Sequence, residues 1–227
     1  EKELFGHLGI PTPAFRAVDS LADLRAAVAA IGLPCVLKTR RLGYDGRGQH
    51  YLRRPADVGA AWRALGGVPL ILEGFVDFDR EVSIIGARST RGETRCYPLC
   101  GNTHREGILR VTLAPATNAR LQKTAERHLR RVMNHFDYAG VLTIEFFVQQ
   151  GRLVANEMAP RVHNSGHWTI EGAGTSQFEN HLRAIMGLPL GETRAVGHCA
   201  MVNFIGAMPD RDRVLALPGA HHHDYGK

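Results

Sequence analysis

The sequence predicts an α+β fold in which strand hairpins carry helices packed on one face. Short apolar runs, such as residues 34–38, have the length and composition of buried strands. Longer stretches carry apolar side chains at every third or fourth position, most clearly over residues 118–136, and this spacing is typical of amphipathic helices. Residues 140–148 and 152–157 have the pattern of two strands joined by a tight turn at Gln150-Gly151, which predicts an antiparallel hairpin.

The predicted helices begin and end at capping and breaking residues. The opening helix stops before the breaker Pro11-Thr12-Pro13, and Ser20 is a favourable N-cap for the next one. In chain order, we predict helices over residues 1–9, 20–31, 55–65, 118–136 and 176–186. We predict strands or extended segments over residues 34–38, 49–52, 69–73, 81–111, 140–148, 152–157 and 198–205.

The charge and composition favour a soluble protein that binds anionic small molecules, phosphates above all. The 227 residues carry a net charge of +6, but the arginines are spread along the chain rather than gathered in a basic tail. We find no nucleic-acid-binding motif, no apolar run of about 20 residues that could span a membrane, and no signal-peptide pattern. The four cysteines form no CxxC pair, so we expect them to be reduced and the protein to be cytoplasmic.

A glycine-rich segment, residues 43–48, follows the predicted strand that ends at Lys38. Glycines at positions 43, 46 and 48 remove three Cβ atoms, so backbone N–H groups there can approach an anion closely. The segment lacks the Gly-Lys-Ser/Thr of a Walker A loop, and it lies between two strands rather than between a strand and a helix. It therefore predicts a glycine flap over nucleotide phosphates, with Lys38 reaching the phosphate oxygens beneath it. The alternatives are an ordinary hairpin turn and a solvated surface lysine.

Two glutamates, Glu145 and Glu157, lie in the apolar strands of the predicted hairpin. The hairpin sets these strands side by side, so both carboxylates can lie on one face. Burying them without a partner would be costly, and Mg²⁺ with its phosphate oxygens would neutralise them. The pair therefore predicts a magnesium site, and the alternative is two edge-strand glutamates that face water.

A polar cluster at residues 159–168 directly follows the second carboxylate, between a strand end and a helical stretch, where binding loops concentrate. Arg161 offers a planar fork for a carboxylate or a phosphate. His163 and His167 could suggest zinc, but the asparagine and glycine between them and the absence of an HExxH motif disfavour a zinc site. The alternative is a loop that only caps the following helix.

A weaker signal is the segment 73–76, which closes a predicted strand and is followed shortly by Glu81. A backbone segment of this kind can hydrogen-bond the edge of an adenine ring. A carboxylate that follows it can accept hydrogen bonds from ribose hydroxyls. On its own, this pattern predicts little, because an ordinary strand end has the same residues.

Together, Lys38 with residues 43–49 and the segment 156–167 resemble the diagnostic segments of the N5-carboxyaminoimidazole ribonucleotide synthetase family of ATP-grasp enzymes. The resemblance implies an α+β ATP-grasp fold, in which two subdomains sandwich ATP. It implies a small subdomain with a preceding linker helix at residues 1–76 and a large subdomain at residues 77–195. Residues 196–227 would begin a truncated, β-rich C-terminal domain. The family's N-terminal Rossmann-like domain has no counterpart here, so we expect the chain to be a fragment.

The resemblance also implies a role for individual residues. The residues implied to bind the ATP phosphates are Lys38, Gly43, Tyr44, Asp45, Gly46, Arg47, Gly48 and Gln49. Those implied to bind adenine are Glu73, Gly74, Phe75 and Val76, while Glu81 is implied to bind the ribose and His104 to line the nucleotide pocket. Those implied to hold Mg²⁺ are Glu145 and Glu157, assisted by Asn156. Those implied to face bicarbonate, carboxyphosphate and the ribonucleotide are Arg161, His163 and Asn164.

The function that follows from the resemblance is the carboxylation of 5-aminoimidazole ribonucleotide in purine biosynthesis, driven by ATP and bicarbonate through carboxyphosphate. A homodimer is expected, with neither a nucleic acid nor a membrane as partner. One alternative is another ATP-grasp ligase, such as a formate-dependent purine transformylase or a biotin carboxylase, in which we would not expect the segment His163-Asn164-Ser165-Gly166-His167. Another is a non-catalytic nucleotide sensor or a basic nucleic-acid-binding module, whose affinity would fall steeply with salt and ignore Mg·ATP.

Overall fold

Two antiparallel β-sheets line a shared cleft in the computed structural model, which describes residues 1–41 and 48–226. The helices are α1 (Lys2–His7), α2 (Leu21–Ile31), α3 (Asp57–Leu65), α4 (Ala119–His135), α5 (Thr169–Gly172), α6 (Gln177–Ile185) and α7 (Arg211–Leu215). The strands are β1 (Phe15–Val18), β2 (Cys35–Thr39), β3 (Gln49–Leu52), β4 (Leu70–Gly74), β5 (Arg80–Arg88), β6 (Thr94–Cys96), β7 (Cys100–Arg105), β8 (Ile108–Ala114), β9 (Gly140–Gln149), β10 (Arg152–Ala159) and β11 (Cys199–Val202).

The smaller sheet has the strand order β1-β4-β2-β3, and α2 and α3 pack against it. Successive side chains of a strand point to opposite faces. In β2, Leu37 packs into the core under the helices, whereas Lys38 lines the cleft. In β4, Leu72 lies in the same core and Glu73 lines the cleft. The alternation that builds this core therefore also places one lysine and one glutamate in the cleft.

The larger sheet has seven strands in the order β10-β9-β5-β7-β8-β11, with β6 paired to β5. One face packs on α4, whose apolar side chains meet alternate residues such as Ile84 and Ile144. The opposite face is covered in part by α6, in a cluster with Ile85 and Val141, and it reaches the cleft at Glu145. The prediction of helices on a single face is thus wrong for the larger sheet, because its central strands are apolar on both sides.

Most predicted elements lie within two residues of the observed bounds. The extended segment predicted over residues 81–111 consists of four strands, β5 to β8, and the strand predicted over residues 198–205 is the shorter β11. Strand β1 and helices α5 and α7 were not predicted. Within residues 1–41 and 48–226, no helix has both the length and the hydrophobicity needed to cross a membrane.

Candidate functional site

A cleft of about 1130 Å³ lies between the two sheets, and the predicted site residues converge on it. The predicted residues that line it are Lys38, Gly48, Gln49, Glu73, Gly74, Phe75, Val76, Glu81, His104, Glu145, Asn156, Glu157, Arg161, His163 and Asn164. The predicted loop residues that lie outside the described part of the chain are Gly43, Tyr44, Asp45, Gly46 and Arg47. Both sheets and the loop after β10 therefore contribute to one site.

On the side of the smaller sheet, two lysines meet one buried carboxylate. The Nζ atom of Lys38 lies 3.0 Å from Glu73 Oε2 and 3.5 Å from Asn156 Oδ1. The Nζ atom of Lys2, on α1, lies 3.3 Å from the same Glu73 oxygen. Lys2 was not predicted. The available signal was its spacing: Lys2 lies three residues before the apolar Phe5, so the two share one face of α1. Glu73 is only 5% exposed. Its two cationic neighbours come from different elements, Lys2 from α1 and Lys38 from β2.

On the side of the larger sheet, a β-bulge brings the two predicted metal-binding carboxylates to the same face. Ala155 pairs with Phe146, and Glu157 pairs with Glu145, so Asn156 is the extra residue of the bulge. With regular pairing, Glu157 would fall on the opposite face of the sheet, where α4 packs. The bulge therefore allows the consecutive polar residues Asn156 and Glu157 both to line the cleft.

The carboxylates of Glu145 and Glu157 form a candidate cation site with His163, since their ligand atoms all lie within 4.8 Å of one another. Burial, and then the charge of Glu157, raise the pKa of Glu145 to about 7. His163 does not neutralise the pair, because burial, and then the nearby Arg161, lower its pKa to about 4. The arrangement sets a second carboxylate beside the buried Glu145, and a bound cation would relieve the repulsion between them.

The hydrogen bonds of His163 show which of these groups suit Mg²⁺. The Ser165 N–H donates to His163 Nδ1 at 3.3 Å, and Ser165 Oγ lies 2.8 Å from the same nitrogen. Because Nδ1 accepts, the neutral ring carries its proton on Nε2, which lies 3.6 Å from Glu145 Oε1. Mg²⁺ prefers oxygen ligands, so the two carboxylates fit the ion and His163 serves as a hydrogen-bond donor beside them. The other considered zinc ligand, His167, lies outside this cluster.

A second pair, Glu81 and His104, lies on neighbouring strands of the larger sheet at the cleft. Glu81 Oε2 is 2.5 Å from His104 Nδ1, and each side chain is 20% exposed. Burial disfavours the charged form of His104, but the hydrogen bond and the charge of Glu81 outweigh burial and raise the His104 pKa. This pair can present both an acceptor and a donor to polar groups of a ligand.

The loop that carries Arg161, His163 and Asn164 is held by a buried amide that was not predicted. Gln177, at the start of α6, is fully buried. Its Oε1 accepts from the His163 N–H at 3.0 Å, and its Nε2 donates to the His163 carbonyl at 2.7 Å and to His167 Nδ1 at 3.0 Å. The available signal was the predicted helix start at Ser176, which places Gln177 in the first turn of α6. The loop backbone is therefore fixed at the position of His163.

Aromatic side chains form the apolar end of the cleft. Phe75 meets Tyr51 edge to face with 6.5 Å between ring centroids, and Phe78 stacks on Phe147 at 4.6 Å. The N–H groups of Gly74 and Phe75 already donate to the carbonyls of Ala14 and Pro34, respectively. A planar ring in this end of the cleft would therefore find apolar surfaces and, on the strand edge, few free backbone donors.

Models of two protein families match the chain. The model described as "ATP-grasp domain" matches residues 3–178, which is more than half of the chain. The model described as "Phosphoribosylaminoimidazole carboxylase C-terminal domain" matches residues 199–227.

Individual relatives match over nine tenths or more of the chain. The chain is 60% identical to the N5-carboxyaminoimidazole ribonucleotide synthase of Pseudomonas aeruginosa over 227 residues, and it covers 63% of that protein. The structure of N5-carboxyaminoimidazole ribonucleotide synthetase from Thermus thermophilus superposes with a TM-score of 0.93 at 54% identity, over all of this chain and 62% of that one. An Aspergillus clavatus N5-carboxyaminoimidazole synthase in complex with ADP and 5-aminoimidazole ribonucleotide gives a TM-score of 0.83 at 30% identity, over 91% of this chain and 56% of that one. The chain thus spans somewhat less than two thirds of the length of these relatives.

Proposed function

The chain belongs to the ATP-grasp family, and from that membership we propose that it forms the nucleotide-binding part of an ATP-dependent carbon–nitrogen ligase. The reaction we propose for the full-length protein is the carboxylation of 5-aminoimidazole ribonucleotide to N5-carboxyaminoimidazole ribonucleotide. The observation that carries the proposal is the carboxylate pair formed by the buried Glu145 and the exposed Glu157, in one cleft with Lys38 and with the loop of Arg161 and His163. Relatives named for this activity match the entire chain and support it.

The proposed chemistry has two steps. A bicarbonate oxygen attacks the γ-phosphorus of ATP, and ADP leaves as carboxyphosphate forms. The exocyclic amine nitrogen of the ribonucleotide then attacks the carboxyl carbon, inorganic phosphate departs and the nitrogen loses a proton. Neither step needs a covalent protein nucleophile, so the protein's task is positioning and charge stabilisation.

We propose that the smaller sheet binds the nucleotide. Lys38 and the glycine flap (residues 43–49) would hold the phosphates, and the segment Glu73 to Val76 would bind adenine. Because the N–H groups of Gly74 and Phe75 are already bonded, the Val76 N–H is the donor we assign to the adenine ring. The pair Glu81 and His104 would bind the ribose, with the carboxylate accepting from its hydroxyls.

We propose that the larger sheet carries the phosphoryl-transfer and carboxylation groups. Glu145 and Glu157 would hold Mg²⁺ with Asn156 assisting, and the bound ion supplies neutralising charge at the phosphate oxygens. Arg161 would donate to carboxyphosphate. His163, with its proton on Nε2, and Asn164 would donate to bicarbonate or the ribonucleotide.

Other features are proposed on the resemblance to the same relatives. We propose subdomains at residues 1–76 and 77–195, with residues 196–227 belonging to a further, β-rich domain, which the match of the C-terminal family model supports. We also propose a cytoplasmic homodimer, and sedimentation equilibrium of the full-length protein tests its oligomeric state.

The experiment that tests the proposed function is carboxylation by the full-length protein with ¹³C-labelled bicarbonate. We expect ADP release and ¹³C incorporation that both require 5-aminoimidazole ribonucleotide and Mg·ATP, and that are lost in Glu145→Gln. If formate but not bicarbonate supports ADP release, the protein is a different ATP-grasp ligase. Tight nucleotide binding without turnover would instead favour a sensor.

A further inference from the structure

Lys2 is a buried lysine that links the two sheets at the proposed nucleotide site. Its side chain is 6% exposed. Its Nζ atom lies 2.6 Å from the Asn156 carbonyl, 3.2 Å from the Ala155 carbonyl and 3.3 Å from Glu73 Oε2. An ammonium group has three donors, so these three oxygens satisfy it completely. Two of them belong to the bulge of β10 in the larger sheet, and the third belongs to β4 in the smaller sheet.

The sharing of Glu73 gives this contact a consequence for the nucleotide. Lys2 and Lys38 both approach Oε2 of Glu73, at 3.3 and 3.0 Å. Lys38 is the more accessible of the two, with 27% of its side chain exposed against 6% for Lys2. If Lys38 turned from Glu73 to a phosphate, Lys2 would stay in place, since the bulge carbonyls hold it. The buried carboxylate would therefore keep one counter-ion.

Lysine is scarce in this chain, which otherwise uses arginine. Only four of its 28 lysine and arginine residues are lysines, at positions 2, 38, 123 and 227. Two of these four meet at one carboxylate oxygen. A compact ammonium can share a single oxygen with a second cation, whereas the planar fork of arginine favours two parallel bonds to both carboxylate oxygens.

We propose that Lys2 is a positioning residue that neutralises Glu73 and so frees Lys38 to bind the nucleotide phosphates. Without Lys2, Glu73 would be buried with Lys38 as its sole remaining neighbour of opposite charge within residues 1–41 and 48–226, and it would hold Lys38 away from the phosphates. This inference rests on the proposed nucleotide site, but not on the identity of the acceptor substrate.

The test is a set of variants of the full-length protein, with ATP affinity measured by calorimetry and KM for Mg·ATP measured beside kcat. In Lys2→Met we expect ATP affinity to fall about tenfold and KM for Mg·ATP to rise equally, because one charge-assisted hydrogen bond is affected. Lys123→Met, on the exposed side of α4, is the matched control and should change neither. A variant that is merely less stable would lose kcat through its folded fraction and keep its KM, and that result would overturn the proposal.

The double variant Lys2→Met with Glu73→Gln keeps the test decisive if Lys2→Met folds poorly. Once the carboxylate is gone, no negative charge holds Lys38 away from the phosphates, so Lys2 should be dispensable. We expect Glu73→Gln and the double variant to bind ATP within twofold of each other. A tenfold difference between them would overturn the role given to Glu73.

The same measurements separate this inference from the proposed function. Wild-type protein that binds ATP but does not carboxylate the ribonucleotide would overturn the proposed function, while the expected affinities of the variants would still support the role of Lys2. Wild-type protein that does not bind ATP would overturn both.

Discussion

The two sheets each bury one carboxylate at the cleft, and they treat it in opposite ways. Glu73, in the smaller sheet, is 5% exposed and has two ammonium groups within 3.3 Å. Glu145, in the larger sheet, is 8% exposed, and across the described part of the chain no lysine or arginine forms an ion pair with it. Its neighbours are a second carboxylate, Glu157, and the neutral ring of His163.

The difference indicates which side of the cleft still requires a cation. A buried carboxylate is tolerated when it is paired, as Glu73 is, or when it stays protonated or receives a cation. The smaller sheet is thus electrostatically complete before any ligand arrives. The larger sheet is not electrostatically complete, because Glu145 has no lysine or arginine partner in the described part of the chain. The raised pKa of Glu145 reflects this missing partner.

The largest effect is expected from removing a cleft carboxylate of the larger sheet. Glu145→Gln and Glu157→Gln should each lower Mg²⁺-dependent turnover by at least about 100-fold without unfolding the protein, because each loses a proposed metal ligand. Turnover against Mg²⁺ concentration measures this, with the exposed Glu192→Gln as control. Normal activity at limiting Mg²⁺ in either variant would remove that residue from the proposed metal site.

The next largest effect is expected from removing Lys38 of the smaller sheet. Lys38→Ala should weaken ATP binding by about 10- to 100-fold, the range of a charge-assisted hydrogen bond, and should weaken ribonucleotide binding less. Calorimetric titration of each ligand measures the two affinities, and Lys123→Ala serves as the control. Unchanged ATP affinity would show that Lys38 only pairs with Glu73 and does not bind the nucleotide.

The contrast between the two carboxylates also predicts a pH-dependent stability. Glu145 has a pKa of about 7 in the folded chain, against 4.5 as the ordinary value, so between these pH values the folded state holds more protons than the unfolded state. The free energy of unfolding therefore falls as the pH rises through this window. In chelator, the free energy of unfolding of Glu145→Gln relative to that of wild type should rise by about 2–3 kcal/mol between pH 5 and pH 8. Denaturant unfolding measures it, and a difference that does not change with pH would contradict the buried, uncompensated charge.

The smallest effect is expected from Gln177, which supports the loop of His163 and does not itself line the cleft. Gln177→Leu should lower kcat about tenfold by loosening the loop at His163, as the loss of a supporting hydrogen-bond partner does, and should leave ATP affinity within twofold. Steady-state kinetics and calorimetry measure these two quantities. The variant Gln177→Glu keeps the acceptor for the His163 N–H and should retain more activity than Gln177→Leu. Equal loss of kcat and ATP affinity would argue for general unfolding instead.

The local elements were predictable from the sequence because their signals are local. The predicted N-cap Ser20 accepts from the Asp23 N–H, and Asn118 and Ser176 cap α4 and α6 in the same way. Strand β1 was missed because its four residues carry little pattern of their own, and they become a strand only by pairing with β4, more than fifty residues later. Propensity does not carry information of that range.

The candidate site was predictable to the level of residue type and strand, but not of geometry. The hairpin set Glu145 beside Glu157, yet the bulge at Asn156 that keeps Glu157 on the cleft face leaves no mark in the residue pattern. Lys2 and Gln177 were missed for a different reason. Each supports the site from another element, Lys2 across more than 150 residues and Gln177 across 14.

The most direct test of this account is a crystal structure of the full-length protein with Mg²⁺ and a non-hydrolysable ATP analogue. We expect the nucleotide in the cleft between the sheets, the metal ion bound by oxygens of Glu145 and Glu157, and Lys38 turned from Glu73 to the phosphates while Lys2 keeps its contact with Glu73. A nucleotide outside this cleft, or a metal ion that touches neither carboxylate, would contradict the account.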